Sequence, residues 1–157
     1  HLDIKPENIV LTREGRLKLL DFGAAQRADE TVGVRRKGSD GFAPPEQYDP
    51  GIMLDERSDL YALGATMYFL ISGKVYAPFM HKSRIPGCPR QLEQVIRKCL
   101  QAERNDRYAD CTAFLKDLEK YGKKMRHEKR RIRLYLAALL ALFAGAVHSA
   151  GKSAGDQ

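Results

Sequence analysis

Asp3, Lys5 and Asn8 lie on one short stretch, His1-Leu2-Asp3-Ile4-Lys5-Pro6-Glu7-Asn8, and a second carboxylate follows in Asp21-Phe22-Gly23. Carboxylate, ammonium and amide together are what transfer of a phosphoryl group to a hydroxyl asks of a protein. A carboxylate orients the hydroxyl and accepts its proton, a cation stands on the moving phosphate, and oxygen ligands hold a metal that neutralises the phosphate oxygens. Magnesium suits such a set, because it takes one or two protein oxygens and leaves its other positions to phosphates and water. Taken one at a time, Asp3, Asn8 and Asp21 each read as a capping or turn residue. The case rests on what brings them together.

Ile9 to Thr12 and Leu17 to Leu20 are aliphatic runs separated by Arg13, Glu14, Gly15 and Arg16, a pattern that predicts a β-hairpin with a four-residue loop. Symmetric pairing about that loop sets Ile9 opposite Leu20, Thr12 opposite Leu17, and Asn8 opposite Asp21 at the open end. Directly opposed residues have Cα atoms about 4.5–5.5 Å apart, so both side chains could reach one ion needing ligands at about 2.0–2.1 Å. From Gly23 to Pro50 the chain is rich in Gly, Pro and charge without periodicity, which predicts a long functional loop. Asp59 to Ile71 is apolar nearly all round, with Ser58 and Asp59 as capping candidates and Gly73 as a stop. It predicts a buried helix too short to cross a membrane. Leu92, Val95, Ile96, Cys99 and Leu100, then Phe114, Leu115 and Leu118, fall at helical spacing and predict amphipathic helices over Arg90 to Leu100 and Thr112 to Tyr121.

The first eight residues resemble the catalytic loop of eukaryotic-type (Hanks-type) serine/threonine protein kinases, and Asp21-Phe22-Gly23 resembles that family's metal-binding D-F-G. The resemblance implies that Asp3 is the catalytic base, that Lys5 contacts the γ-phosphate of ATP, and that Asn8 and Asp21 hold Mg²⁺ or Mn²⁺. Further matches follow in family order. Ala43-Pro44-Pro45-Glu46 resembles the A-P-E end of the activation segment, and Gly38-Ser39 its Gly-Thr pair, whose hydroxyl bridges the catalytic Asp and Lys. Asp59 stands where the family places an Asp that holds the catalytic loop's backbone, and Arg107 where an Arg pairs with the A-P-E Glu, here Glu46. His1, Phe22 and Gly23 are implied to be scaffold. The resemblance runs over about residues 1 to 121 and implies the mainly helical C-terminal lobe of the kinase fold, α+β overall, with one small hairpin. The nucleotide-covering N-terminal lobe is not contained in these residues, so the chain reads as a piece of a longer protein that is inactive by itself.

The family often has Arg before the catalytic Asp, and Leu2 stands there instead, so control through a phosphate held by that Arg is not expected. Thr31 and Ser39 remain the candidate phosphosites. Small-molecule phosphotransferases of the aminoglycoside-kinase type share the spacing of Asp3 and Asn8, but Lys5, Glu46 and Arg107 favour a protein substrate. A noncatalytic reading, as a pseudokinase or membrane-tethered docking module, would need a degenerate N-terminal lobe; the complete catalytic loop speaks against it. Ala146 to Ser153 satisfies the loosest phosphate-loop pattern, yet only four residues follow Ser153, too few for the helix such a loop must open.

The formal charge of the 157-residue chain is +7, and seven basic residues against Glu128 leave +6 within residues 123–133. One dense patch beside an apolar run fits anionic lipid headgroups, not nucleic acid. Leu134 to Val147 carries no charge, and extension through Gly151 gives about 27 Å of helix, enough to span a locally thinned bilayer. Residues 122–133 therefore read as a juxtamembrane segment, 134–151 as a single membrane helix and 152–157 as a tail, with the kinase lobe on the cytoplasmic side of the cell membrane by the positive-inside rule. This arrangement resembles that of bacterial transmembrane Hanks-type kinases. Cys88, Cys99 and Cys111 are odd in number and widely spaced, which indicates neither a zinc site nor a disulfide framework.

Overall fold

Ile9–Leu11 (β1) and Leu17–Leu19 (β2) pair antiparallel, with Ile9 opposite Leu19, Val10 opposite Lys18 and Leu11 opposite Leu17. This is one residue away from the symmetric register that equal arms predict. The cause is Gly15, whose φ of 75° puts it in the left-handed region. Its amide donates to the Thr12 carbonyl at 2.9 Å, and the Thr12 amide donates to the Arg16 carbonyl at 2.8 Å. Arg13, Glu14 and Gly15 thus form a three-residue loop closed by a left-handed residue, and Arg16 joins the ladder. At the open end the Leu20 amide donates to the Asn8 carbonyl at 2.8 Å. Asp21 comes one step beyond Asn8's partner, not opposite Asn8 as expected.

The computed structural model describes residues 1–26, 38–81 and 83–121. The hairpin, the core and the candidate site all belong to one compact unit, His1–Leu118. Its central element is the helix Glu56–Ser72 (α1). Ser58 and Asp59 do not cap it. Asp55 does, accepting from the Arg57 amide at 2.9 Å, so the helix begins a turn earlier than the apolar pattern suggests. Ser58 and Asp59 are thereby placed in the first turn with their side chains free for other partners. The stop at Gly73 is as expected, with φ 69° and its amide on the Phe69 carbonyl at 2.8 Å.

Arg90–Cys99 (α2) buries Val95, Ile96 and Cys99 against α1. The crossing is close at Gly64, where an added Cβ would come within 2.6 Å of Cys99 Cβ. Ile96 is fully buried at 0% exposure, a burial that contributes about 1.5–3 kcal/mol for a side chain of its size. A third helix (α3), over residues 111–121, is started by Asp110, whose carboxylate accepts from the Ala113 amide at 2.7 Å. Phe114 enters a cluster with Leu60, Val95, Cys99 and Tyr108, and Leu118 packs against it. Leu115 is a correction: it is exposed, because one helical step turns it away from the face that Phe114 buries.

Among the described residues the architecture is mostly helical with one two-stranded antiparallel sheet, as the sequence predicts. Among the described residues no helix is long and apolar enough to cross a membrane. The expected basic segment and membrane helix, and Thr31, lie outside the described residues.

Candidate active site

Ser39 Oγ sits between the two charged groups of the first loop. It donates to Asp3 Oδ1 at 2.6 Å and accepts from Lys5 Nζ at 2.8 Å, while Lys5 Nζ also lies 2.9 Å from Asp3 Oδ2. The Asn8 amide nitrogen donates to the Asp3 carbonyl at 2.8 Å and to Asp3 Oδ2 at 3.0 Å. Burial pushes the Asp3 carboxyl up, but the Ser39 hydroxyl, the Lys5 ammonium and the Asn8 amide outweigh it and hold the group below its ordinary value. Asp3 is therefore a fixed anion at neutral pH, partly open to solvent.

The backbone that presents Asp3 is strained. Leu2 has φ 64°, a left-handed conformation that costs a residue with a Cβ about 1–2 kcal/mol. Asp59, at the start of α1, holds it from below, its Oδ1 accepting from the Leu2 amide and its Oδ2 facing the His1 backbone nitrogen, each at 2.7 Å. Gln47 Nε2 donates to the Leu2 carbonyl at 2.8 Å, and Thr66 Oγ1 reaches the Ile4 carbonyl at 3.5 Å. Sequence reasoning placed Asp59 but missed Gln47 and Thr66. Their only signal is a polar residue in a segment that otherwise buries.

His1 links this loop to the second one. Its ring Nε2 lies 3.0 Å from the Leu20 carbonyl, and the ring meets Phe22 edge-on with centroids 4.7 Å apart. Asp21 is left-handed as well, at φ 57°, and its Oδ1 accepts from the Gly23 amide at 3.1 Å. Asp tolerates that conformation better than most residues because its short carboxylate can bond locally. The donor set fits Mg²⁺: both Asn8 hydrogen bonds use the nitrogen, which leaves Oδ1 as the oxygen to offer, and Asp21 is an exposed carboxylate.

Glu46 and Arg107 meet in the interior, at 5% and 3% exposure. Arg107 Nη1 donates to Glu46 Oε1 at 2.6 Å and Nη2 to Oε2 at 2.9 Å. Ser58 Oγ adds a bond to Oε1 at 2.9 Å. Burial raises the Glu46 carboxyl, but the Arg107 bonds and charge together with Ser58 carry it below its ordinary value. The 3-10 turn Pro45–Tyr48 that carries Glu46 and Gln47 is thus fixed to α1 and to the segment before α3.

Of the residues singled out from sequence, the structure brings Asp3, Lys5, Asn8 and Ser39 into one hydrogen-bonded group and joins Glu46 to Arg107. It ties His1 to Asp59 and Phe22, and sets Asp21 and Gly23 in a tight turn one residue past the hairpin. Among known proteins, the model of the protein kinase domain matches residues 1–139. Serine/threonine-protein kinase F of Synechocystis is 39% identical over 128 residues, covering 73% of this chain and 26% of that protein. Tyrosine-protein kinase MasK of Myxococcus xanthus is 31% identical, over 77% of this chain and 22% of that protein. The solved structure of PpkA-294 in its apo form superposes with a TM-score of 0.58 at 26% identity, over 75% of this chain and 46% of that one. The chain spans about a quarter of the length of these two curated relatives. On the family match and the fold together, this chain belongs to the protein kinase domain family and forms part of that fold's helical lobe.

Proposed function

We propose that these residues supply the catalytic loop of a serine/threonine protein kinase that moves the γ-phosphate of ATP to a Ser or Thr hydroxyl of a protein. The observation that carries the reading is the Ser39 hydroxyl shared by Asp3 and Lys5. It fixes an anion and a cation side by side, where one orients the acceptor hydroxyl and takes its proton and the other faces the transferred phosphate. Asn8 Oδ1 and the Asp21 carboxylate are the oxygens that would hold Mg²⁺, which when bound neutralises charge on the phosphate oxygens. Lys5, two positions after Asp3, supports Ser/Thr over Tyr as acceptor. The sequence contains no G-x-G-x-x-G run and no V-A-I-K-like run, so the chain by itself is expected to transfer no phosphate.

The test joins this chain to an amino-terminal kinase lobe, native or grafted from the Synechocystis relative, and measures ATP-dependent labelling of a Ser/Thr peptide. Asp3→Asn keeps the loop's size and removes the proton acceptor, so labelling is expected to fall by at least about 100-fold with the fold unchanged. Retained labelling would remove the enzyme assignment. Residues 122–151 are proposed to anchor the lobe at the inner face of the cell membrane through anionic lipids and one span. A fusion carrying residues 116–157 is expected to stay with membranes through alkaline carbonate, and its release would end that reading.

A further inference from the structure

Leu2 is left-handed at φ 64° directly before Asp3, and each of its two peptide groups is held by one side chain, the half-buried Asp59 and the buried Gln47. The amide is held by Asp59 and the carbonyl by Gln47 Nε2 at 2.8 Å. The carbonyl matters more for Asp3, because it belongs to the planar peptide that joins Leu2 to Asp3. A rotation of that plane changes Leu2 ψ and Asp3 φ together, and so swings the bond from which the Asp3 side chain departs. The other polar group of that plane, the Asp3 amide, is on His1 Nδ1 at 3.3 Å, which is long for a hydrogen bond.

Gln47 is well placed to resist it. It is 3% exposed, and its turn is anchored by its neighbour Glu46 to Arg107 and Ser58. An amide donor that is rigidly mounted and shielded from water holds a carbonyl more firmly than one that solvent can replace. We propose that Gln47 is a positioning residue for Asp3. By holding the Leu2 carbonyl it keeps the Leu2–Asp3 peptide from turning, and so keeps the Asp3 carboxylate against Ser39, Lys5 and Asn8. The inference rests on the reading of Asp3 as proton acceptor. It adds a link, through an uncharged side chain, between the turn at Glu46 and the loop that carries the chemistry.

The experiment uses the same polypeptide, this chain joined to an amino-terminal kinase lobe, with rates expressed per folded molecule. Gln47→Met matches the side chain's length without a donor, and Gln47→Glu, assayed at alkaline pH so that its carboxyl is ionised, presents only acceptors to the carbonyl oxygen. Both are expected to lower kcat by about 10- to 100-fold, the scale of a small misplacement of a reacting group, while KM for ATP stays within about twofold. Gln47→Asn, which keeps the donor one methylene short, is expected to fall between them and the parent. Unchanged kcat in Gln47→Met and Gln47→Glu, alongside an inactive Asp3→Asn, overturns the positioning role and leaves the catalytic reading standing. A loss that vanishes once corrected for the folded fraction also overturns it, since Gln47 would then serve stability alone. An active Asp3→Asn removes both.

Discussion

Arg107 places every one of its N–H groups on an oxygen, and Glu46 takes two of them. Nε donates to the Gln101 carbonyl at 2.8 Å, Nη1 to Glu46 and to the Arg57 carbonyl at 3.1 Å, and Nη2 to Glu46 and to the Ala102 carbonyl at 2.9 Å. The five donors of a guanidinium are thereby all used. The Tyr61 ring lies under the guanidinium, 4.9 Å from its carbon. So complete a set of partners makes the pair a geometric clamp between the turn at Glu46 and the segment before α3. Its net energy is smaller than its bond count implies, because the attraction mainly offsets the loss of hydration.

Removing one partner is a different matter. Glu46→Leu or Arg107→Met strands an uncompensated charge in the interior and is expected to cost about 3–5 kcal/mol. The double variant is expected to be less damaged than the sum of the two. Urea unfolding of the chain gives all three free energies, and strict additivity would show that the two side chains do not act as a unit.

The acid limb of stability follows from the carboxylates. Asp3, Glu46, Asp55 and Glu93 are all held below their ordinary values; burial opposes each shift, and hydrogen bonds and charge from Ser39, Lys5, Arg107, Arg57 and Arg97 overcome it. A depressed folded pKa means the unfolded chain binds protons first as pH drops. Stability is then complete above the ordinary range and is lost as pH falls through the depressed values. His81 adds a second step of the same sign. Burial and the Arg97 charge hold its ring below 6.5, and its partners, Tyr76 Oη at 3.0 Å and Gln101 Nε2 at 3.2 Å, suit the neutral form. Unfolding free energy is expected to decline gently below about pH 6.5 and steeply below about pH 4.5. His81→Gln is expected to flatten the first decline and leave the second. A profile flat between pH 7 and 5 in the parent would refute the His81 step.

The features legible from sequence are those in which residue type alone limits the choice. A carboxylate, an ammonium and an amide on one short loop, the stop at Gly73 and the apolar face of α2 all follow from chemistry or period, whereas the pairing of Glu46 with Arg107 came only from the family resemblance. The hairpin register was not legible, since a single left-handed Gly15 converts a four-residue loop into a three-residue one and moves every pair by one. The start of α1 was missed for a related reason: Asp55 caps it from an apolar-poor stretch that periodicity ignores. Gln47 and Thr66 gave no signal beyond a polar residue in a burying segment, because their partners are backbone carbonyls that become neighbours only after the chain has folded.

Asp55 offers a direct measure of that cap. Its carboxylate accepts the Arg57 amide at 2.9 Å and also meets the Arg57 side chain at 2.6 Å and Arg104 at 3.3 Å. Asp55→Ala is expected to cost about 0.5–2 kcal/mol, most of it from the lost cap, since half-exposed ion pairs contribute little. Asp55→Asn retains a capping oxygen without the charge and is expected to recover most of the loss at moderate salt. Equal damage in the two variants would assign the stability to the ion pairs instead.

Gly41 provides the sharpest local test of how the segment from Ser39 to Glu46 is held. Its φ is 80°, and a Cβ there would come within 2.0 Å of Val75 Cγ1. Two penalties act together in Gly41→Ala, backbone strain and a clash with a β-branched side chain that has few rotamers to move into. Relief of either one shifts the segment and carries Ser39 Oγ away from its 2.6 Å bond to Asp3. Gly41→Ala is therefore expected to lower both unfolding free energy and peptide phosphorylation by the kinase carrying an amino-terminal lobe. Adding Val75→Ala removes the clash but not the strain. The pair is expected to recover part of the stability and to retain a deficit of about 1–2 kcal/mol. If Gly41→Ala were as stable and as active as the parent, the left-handed turn at Gly41 would not be what sets Ser39 beside Asp3 and Lys5.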